Sequence, residues 1–359
     1  MTEQPSRFAM LAGMSNDMTS EDRRALLRTV TAAMAGGNAQ DDEFAKLDEI
    51  LAGAAADYAV QVRGELAKLV AAAPGFSRTA NQFALDDIEV AAPILRRSRA
   101  LSDHTLLKVI AKKSQPHMMA VTQRQDISPE VSHALVEAGD DHVVVSLLAN
   151  ETARIAHGTF EVVTARAQTS AALQAPLVRR KDVPVEMLNE LYLKVESGLR
   201  LEILTRYNSV SSEEIDKAFQ RSRSRVGKTS DGPPQDFRAA QAKIDDLTRR
   251  GFLTPPGLVT LLREGPGSRT AFSIAFAQLA GVDFDLVQRT VATHDLDTVA
   301  LLCRGAGFDR PLYLTITIAL KNSDDRTGPS PQELGALYET VPVLAAQRAL
   351  RFWKARAAA

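Results

Sequence analysis

LSDHTLLKVI (residues 101–110), ISPEVSHALV (127–136), IAHGTFEVVT (155–164), VPVEMLNELY (183–192) and VSSEEIDKAF (210–219) share one pattern. Their starts are spaced 26, 28, 28 and 27 residues apart. Each unit opens on an aliphatic residue followed by a cap or breaker: Ser102, Ser128, Ala156, Pro184 or Ser211. An aliphatic residue ahead of a cap can staple onto the first turn of a helix. Apolar residues then recur at helical spacing, as in Leu106, Leu107 and Ile110, Val131 and Leu135, or Leu188, Leu191 and Val195. A second apolar segment follows in each unit: HMMAV, HVVVSLLAN, ALQAPLV and LRLEILTRY. About 27 residues accommodate two helices of roughly ten residues and two short turns. One such pair cannot bury its apolar face alone, so neighbouring pairs must stack. The fold expected is all-α: a right-handed HEAT/ARM-like α-solenoid of two-helix repeats, period 26–28, with helical extensions at both ends. The run Val143-Val144-Val145 has strand propensity, but its register places it in a second helix, and context overrides weak propensity.

Composition agrees with this reading. The 359 residues include 54 Ala and 40 Leu, the best helix formers, and only 5% aromatics. A single cysteine, Cys303, leaves no disulfide framework and no multi-cysteine metal site. The longest nearly uninterrupted apolar stretch, residues 271–282, is too short for a membrane span. The opening MTEQPSRFAM lacks the basic and apolar regions of a secretion signal, so a cytoplasmic protein is expected. The net charge is −1, which weighs against a dedicated nucleic-acid binder.

Five segments follow along the chain: an N-terminal helical cap (1–77), the repeat array (78–220), a basic linker (221–237), a C-terminal helical region (238–322) and a terminal amphipathic helix (330–359). Thr254-Pro255 reads as a cap with a first-turn proline, and Ser330-Pro331-Gln332-Glu333 as a capping box. Pro342 implies a kink or break in the last helix.

The stretch from Val62 to Ile110 also resembles a known family. The matching pieces are Arg63, Leu66-Ala67, Ala73-Pro74, the block Asp87-Ile88, Val90-Ala91, Pro93-Ile94-Leu95 and Ser98, then Leu101-Ser102-Asp103 and, further on, Leu147 and Asn150. Residues 275–308 resemble its second half. The family is an uncharacterised alphaproteobacterial domain of unknown function with HEAT-like helical repeats. The resemblance implies a fold, and no activity comes with it.

Chemistry-bearing residues are few. Gly227-Lys228-Thr229 ends like a phosphate-binding loop, but Ser222 stands where the first glycine is needed. Five of the six histidines, His104, His117, His133, His142 and His157, fall in the repeats without metal-ligand spacing. Cys303 lies in an apolar run and reads as a packed thiol. No metal, cofactor or catalytic set is expected. Arg124, Asn150, Arg180 and Arg206 lie 23, 23, 25 and 23 residues from their repeat starts. They form a polar stripe that either bonds between repeats or lines the concave face to meet a protein partner. Arg221, Arg223, Arg225 and Lys228 form either a solvated linker or a phosphate-binding cluster, with Ser222 and Ser224 as modification sites. The terminal helix, with Leu344, Phe352 and Trp353, either packs on the body or docks outward, into another subunit as a homo-oligomer or onto a membrane surface. The function expected is a non-enzymatic scaffold or adaptor for a protein partner; the alternative is a HEAT-like enzyme or nucleic-acid-binding protein resembling DNA glycosylases.

Overall fold

A computed structural model describes residues 60–73, 75–211, 234–320 and 329–357, with positions 45, 48, 49, 51, 52, 213, 214, 217 and 218. Among the described residues there are nineteen α-helices, one 3-10 turn (Pro266–Ser268) and no strand, so the described part of the chain is all-α as expected. The chain divides into two compact units, residues 1–181 and 182–359. That boundary falls inside the stretch 78–220 that the sequence groups as one array.

Unit 1 contains α1 (Val60–Ala72), α2 (Ser77–Phe83), α3 (Ile88–Arg97), α4 (Asp103–Lys112), α5 (Gln115–Thr122), α6 (Pro129–Ala138), α7 (Asp141–Ala149), α8 (His157–Ala167) and α9 (Ala171–Arg179). Helices α1, α3, α5, α7 and α9 touch in succession, and α4, α6 and α8 do the same. Apart from α2, which packs on α1 and α3, these helices pack on the element two places along the chain, and α4 with α5, α6 with α7 and α8 with α9 also pack as hairpin partners. The periodic apolar residues make this possible. Val90, Ile94, Val109, Val131, Leu135, Val143, Val144, Leu147, Val163, Leu173 and Leu177 are all 0% exposed. The valine run at 143–145 is helical, as its register requires.

Local signals fix the ends. Ser102, Ser128 and Asp140 accept from the backbone N–H of Thr105, Val131 and Val143, closing one orphan donor at the start of α4, α6 and α7. Helix α2 lacks such a residue, because its cap position is Phe76. Asp48 replaces it from 30 residues upstream. Its carboxylate, 3% exposed, accepts from the N–H of Arg78 (2.7 Å) and Thr79 (2.8 Å). Removing it by Asp48→Ala should destabilise unit 1 by about 1–2 kcal/mol, the range of a lost N-cap. Unchanged denaturant midpoints would refute that role.

Two carboxylates in unit 1 are held below their ordinary pKa. Burial pushes Asp86 up, but the Arg63 guanidinium (2.6 and 2.8 Å) and the Asp87 N–H prevail and hold it down. Asp141 is lowered by the Ser170 hydroxyl (2.5 Å) and by Arg166 (2.5 Å). A depressed folded pKa gives stability that is complete above the unfolded value, near 4, and is lost as pH falls through the folded value. Thermal melts of the full chain should therefore drop steeply below about pH 4. An Arg63→Met, Asp86→Asn double variant should flatten part of that slope, and an identical profile would exclude the pair as its source.

Unit 2 contains α10 (Val185–Leu191), α11 (Ser197–Ser209), α12 (Phe237–Arg249), α13 (Gly257–Arg263), α14 (Arg269–Ala280), α15 (Phe284–Ala292), α16 (Leu296–Gly305), α17 (Arg310–Leu320), α18 (Pro331–Thr340) and α19 (Val343–Ala357). Helix α14 is central, touching α12, α13, α15 and α16. Helix α19 packs on α10, α11 and α16. The capping box at Ser330 and Glu333 is present, and the terminal segment breaks at Val341-Pro342 into α18 and α19. Helix α13 starts at Gly257, two residues later than Thr254-Pro255 suggests. Pro255 and Pro256 instead form a turn closed by Gly257 N–H on the Thr254 carbonyl (2.9 Å).

Helix α14 ends at Gly281, whose φ of +66° lets Val282 N–H return to the Ala277 carbonyl (3.0 Å). The same closure at the end of α15 uses His294, with φ +51°, and the Asp295 N–H on the Thr290 carbonyl (3.0 Å). A side chain in the left-handed region costs about 1 kcal/mol or more. His294→Gly should accordingly raise the melting temperature of unit 2, and a lower one would show that the imidazole compensates for the strain.

Candidate functional site

The polar stripe begins where the second helix of each pair runs out of hydrogen-bond partners. The last four carbonyls of any helix have no partner within it. Arg124, just past α5, reaches the end of α3 and donates to Leu95 (2.6 Å), Ser98 (2.8 Å) and Ile94 (3.4 Å) carbonyls. Burial lowers its pKa, against the opposing field of Asp103. Asn150, capping α7, donates through Nδ2 to the carbonyls of Thr122 (2.8 Å) and Arg124 (2.6 Å) at the end of α5. Arg180, capping α9, donates to Asn150 (2.7 Å), Leu148 (3.1 Å), Leu147 (3.3 Å) and Ala153 (2.5 Å) carbonyls at the end of α7. The residues at these three positions form successive rungs, each closing the helix end before it.

Arg206 departs from this pattern although its spacing matches. It lies inside α11, and its guanidinium donates to the Val183 carbonyl (3.0 Å) just ahead of α10. Burial lowers its pKa. The residue that closes the end of α11 is Arg348 of α19, which donates to the carbonyls of Tyr207, Val210 (2.8 Å) and Asn208 (3.5 Å). Sequence reasoning missed it because Arg348 lies some 140 residues beyond the carbonyls it serves, outside any repeat register.

The basic cluster Arg221, Arg223, Arg225 and Lys228 lies outside the described residues. Phe352 and Trp353 are 0% and 3% exposed within unit 2, where Phe352 stacks on Tyr207 (6.0 Å) and Trp353 meets Tyr192 edge-on (5.7 Å). Of the three residues singled out on the terminal helix only Leu344, 46% exposed, is at the surface. Cys303 is fully buried, and burial pushes its thiol pKa up, as suits a packed rather than a nucleophilic cysteine.

Unit 2 has an open cleft of about 620 Å³ lined by the α10–α11 turn, the α15–α16 turn, Pro329 and Leu337. Its charged groups engage one another. Arg200 pairs with Asp295 (2.5 Å) and lies 3.8 Å from Asp297, while its Nε donates to the Val195 carbonyl (3.0 Å). Ser197 donates to Asp297. Asp295 also caps α16 through Thr298 N–H (3.2 Å) and Oγ1 (2.9 Å). This network ties α11 to the start of α16. Ser197 is bonded to a carboxylate, with no imidazole against it among the described residues, and the exposed His294 ring makes no side-chain hydrogen bond there. Nor does any group of three His, Cys, Asp or Glu among the described residues have the geometry to hold a metal ion. The buried His117 instead bridges Ser114 Oγ (3.0 Å) and the Asp86 carbonyl (3.0 Å), while His142 is exposed.

No curated protein and no solved structure matches this chain. A family model described as an uncharacterised protein conserved in bacteria (DUF2336) matches residues 90–351, from the first turn of α3 to the middle of α19. With well over half of the chain inside that match, the chain belongs to the bacterial DUF2336 family.

Proposed function

We propose that this chain is a non-enzymatic scaffold or adaptor, a right-handed HEAT-like α-solenoid that presents a rigid surface to a protein partner. The observation that carries this reading is the rung system of unit 1, in which Arg124, Asn150 and Arg180 each close the preceding helix end. Stacked pairs joined in this way form a nearly one-dimensional array whose side faces are extended and stiff, which suits partner binding. The engagement of Ser197, Arg200, Asp295 and Asp297 with one another favours a structural junction over a reactive centre in the cleft of unit 2. On the same reading, residues 1–77 cap the array, residues 221–237 link it to the helical region 238–322, and the HEAT-like character extends to the family.

The test is affinity purification of the full chain from a bacterial lysate, followed by light scattering of the eluted material. A second chain in fixed stoichiometry supports the scaffold. A single chain of unchanged mass that turns over a small molecule would overturn it.

A further inference from the structure

The three rungs of unit 1 differ in charge. Beside the third, Glu151 pairs with Lys181 (3.4 Å). The first rung has no comparable balance. Helix α3 ends in Arg96 and Arg97, and Arg99 follows after Ser98. All three are exposed, and none makes an ion pair or side-chain hydrogen bond among the described residues. The Arg124 guanidinium donates to the Ser98 carbonyl (2.8 Å) at the same helix end. Asp103 exerts a field that favours the charged form of Arg124. Helix α1, which packs along α3, bears no acid after Glu65.

Cations at a helix C-terminus ordinarily serve its orphan carbonyls. Here Arg124 already occupies the carbonyls of Ile94, Leu95 and Ser98. The three exposed arginines are thus surplus to capping, and with only Ser98 interrupting them in the chain they concentrate like charge at this helix end, where it repels itself. A carboxylate ligand relieves that repulsion and suits the forked, bidentate donors of arginine.

We infer that the end of α3, through Arg96, Arg97 and Arg99, is a docking point for an acidic peptide segment of a partner protein. The inference rests on the scaffold reading above and names the chemistry of its partner. A peptide is favoured over single-stranded nucleic acid because the described aromatics of unit 1, Phe76, Phe83 and Phe160, are all buried and provide no stacking platform. It is favoured over a membrane because the exposed large apolar side chains among the described residues, Leu201, Phe252, Ile318, Val343 and Leu344, all belong to unit 2.

The experiment is fluorescence anisotropy on the full chain with a labelled peptide of alternating glutamate and serine, beside a single-stranded oligonucleotide and anionic vesicles. The acidic peptide should bind, weaken with added salt, and lose roughly tenfold or more affinity in an Arg96→Glu, Arg97→Glu, Arg99→Glu variant. An Arg96→Gln, Arg97→Gln, Arg99→Gln variant should lose less, with both variants keeping the wild-type melting curve because the side chains are exposed. No binding of the peptide, equal binding by the charge-reversed variant, or preference for the oligonucleotide or the vesicles overturns the inference. A scaffold that holds its partner through another face would fail here and still show a stoichiometric second chain by light scattering, so the two readings fail separately.

Discussion

Gly305→Val is expected to lower the melting temperature of unit 2 by roughly 6–12 °C, corresponding to about 3 kcal/mol in a unit of this size. Gly305 is the last residue of α16, where that helix lies against α19. A Cβ at this position would run into the Leu350 side chain and would stand 2.9 Å from the Ala346 carbonyl oxygen and 3.0 Å from its carbon. The leucine tip could swing aside, but the Ala346 carbonyl belongs to the backbone of α19. That helix is fixed on its other side by Phe352 on Tyr207 and by Arg348 at the end of α11. Relief therefore requires a shift of the whole helix. A second change, Leu350→Ala, should recover only part of the loss. Gly335→Ala is the contrasting case, since its added Cβ meets the mobile end of the Arg310 side chain, and it should cost well under the Gly305 change. Equal melting curves for Gly305→Val and the parent would show that α16 and α19 do not approach as described.

The close approach at Gly305 is invisible in the sequence, where LLCRGAGF reads simply as an apolar run with glycine stops. What the sequence does reveal is whatever depends on neighbours within a few residues. Ser102 and Ser128 are legible as caps because their partners lie three residues on, and Ser330 with Glu333 for the same reason. The period is legible because the same two-helix solution recurs. Contacts that cross tens of residues without recurring are not. Asp48 closes α2 from 30 residues away, and Arg348 closes α11 from far outside the repeats. Arg206 is the instructive failure. Its offset matches the stripe, yet it sits within the last turn of α11 rather than past the helix end, so the same residue type meets a different carbonyl. The terminal aromatics divide likewise: spacing identifies an apolar face on α19, but only the fold decides that Phe352 and Trp353 face inward.

Arg180→Ala is expected to be the most damaging change in unit 1, at about 3–4 kcal/mol, because a charged hydrogen-bond donor contributes about 1.5–3 kcal/mol and this one serves several buried acceptors at once. Arg180 is 6% exposed, and its guanidinium meets four carbonyls between Leu147 and Ala153. Truncation strands those acceptors at the point where α7 ends and the chain turns toward α8, and it leaves a void where the side chain packed. Arg180→Lys should recover part of the loss. A single ammonium carries three donors on a flexible stem and cannot reproduce the planar fork. The other rungs should follow in order of burial and donor count. Arg124 is half-buried and serves three carbonyls, so Arg124→Ala should cost less than Arg180→Ala. Asn150 supplies one amide nitrogen to two carbonyls, and Asn150→Ala should cost about 1–2 kcal/mol. Denaturant unfolding followed by far-UV circular dichroism gives the ranking. Amide exchange in α7 should accelerate in Arg180→Ala while the exchange of α3 stays near its wild-type rate, since each rung holds only the helix end before it. A ranking in which Asn150→Ala is as costly as Arg180→Ala, or exchange that rises equally in α3 and α7, would mean that the stripe acts through something other than carbonyl capping.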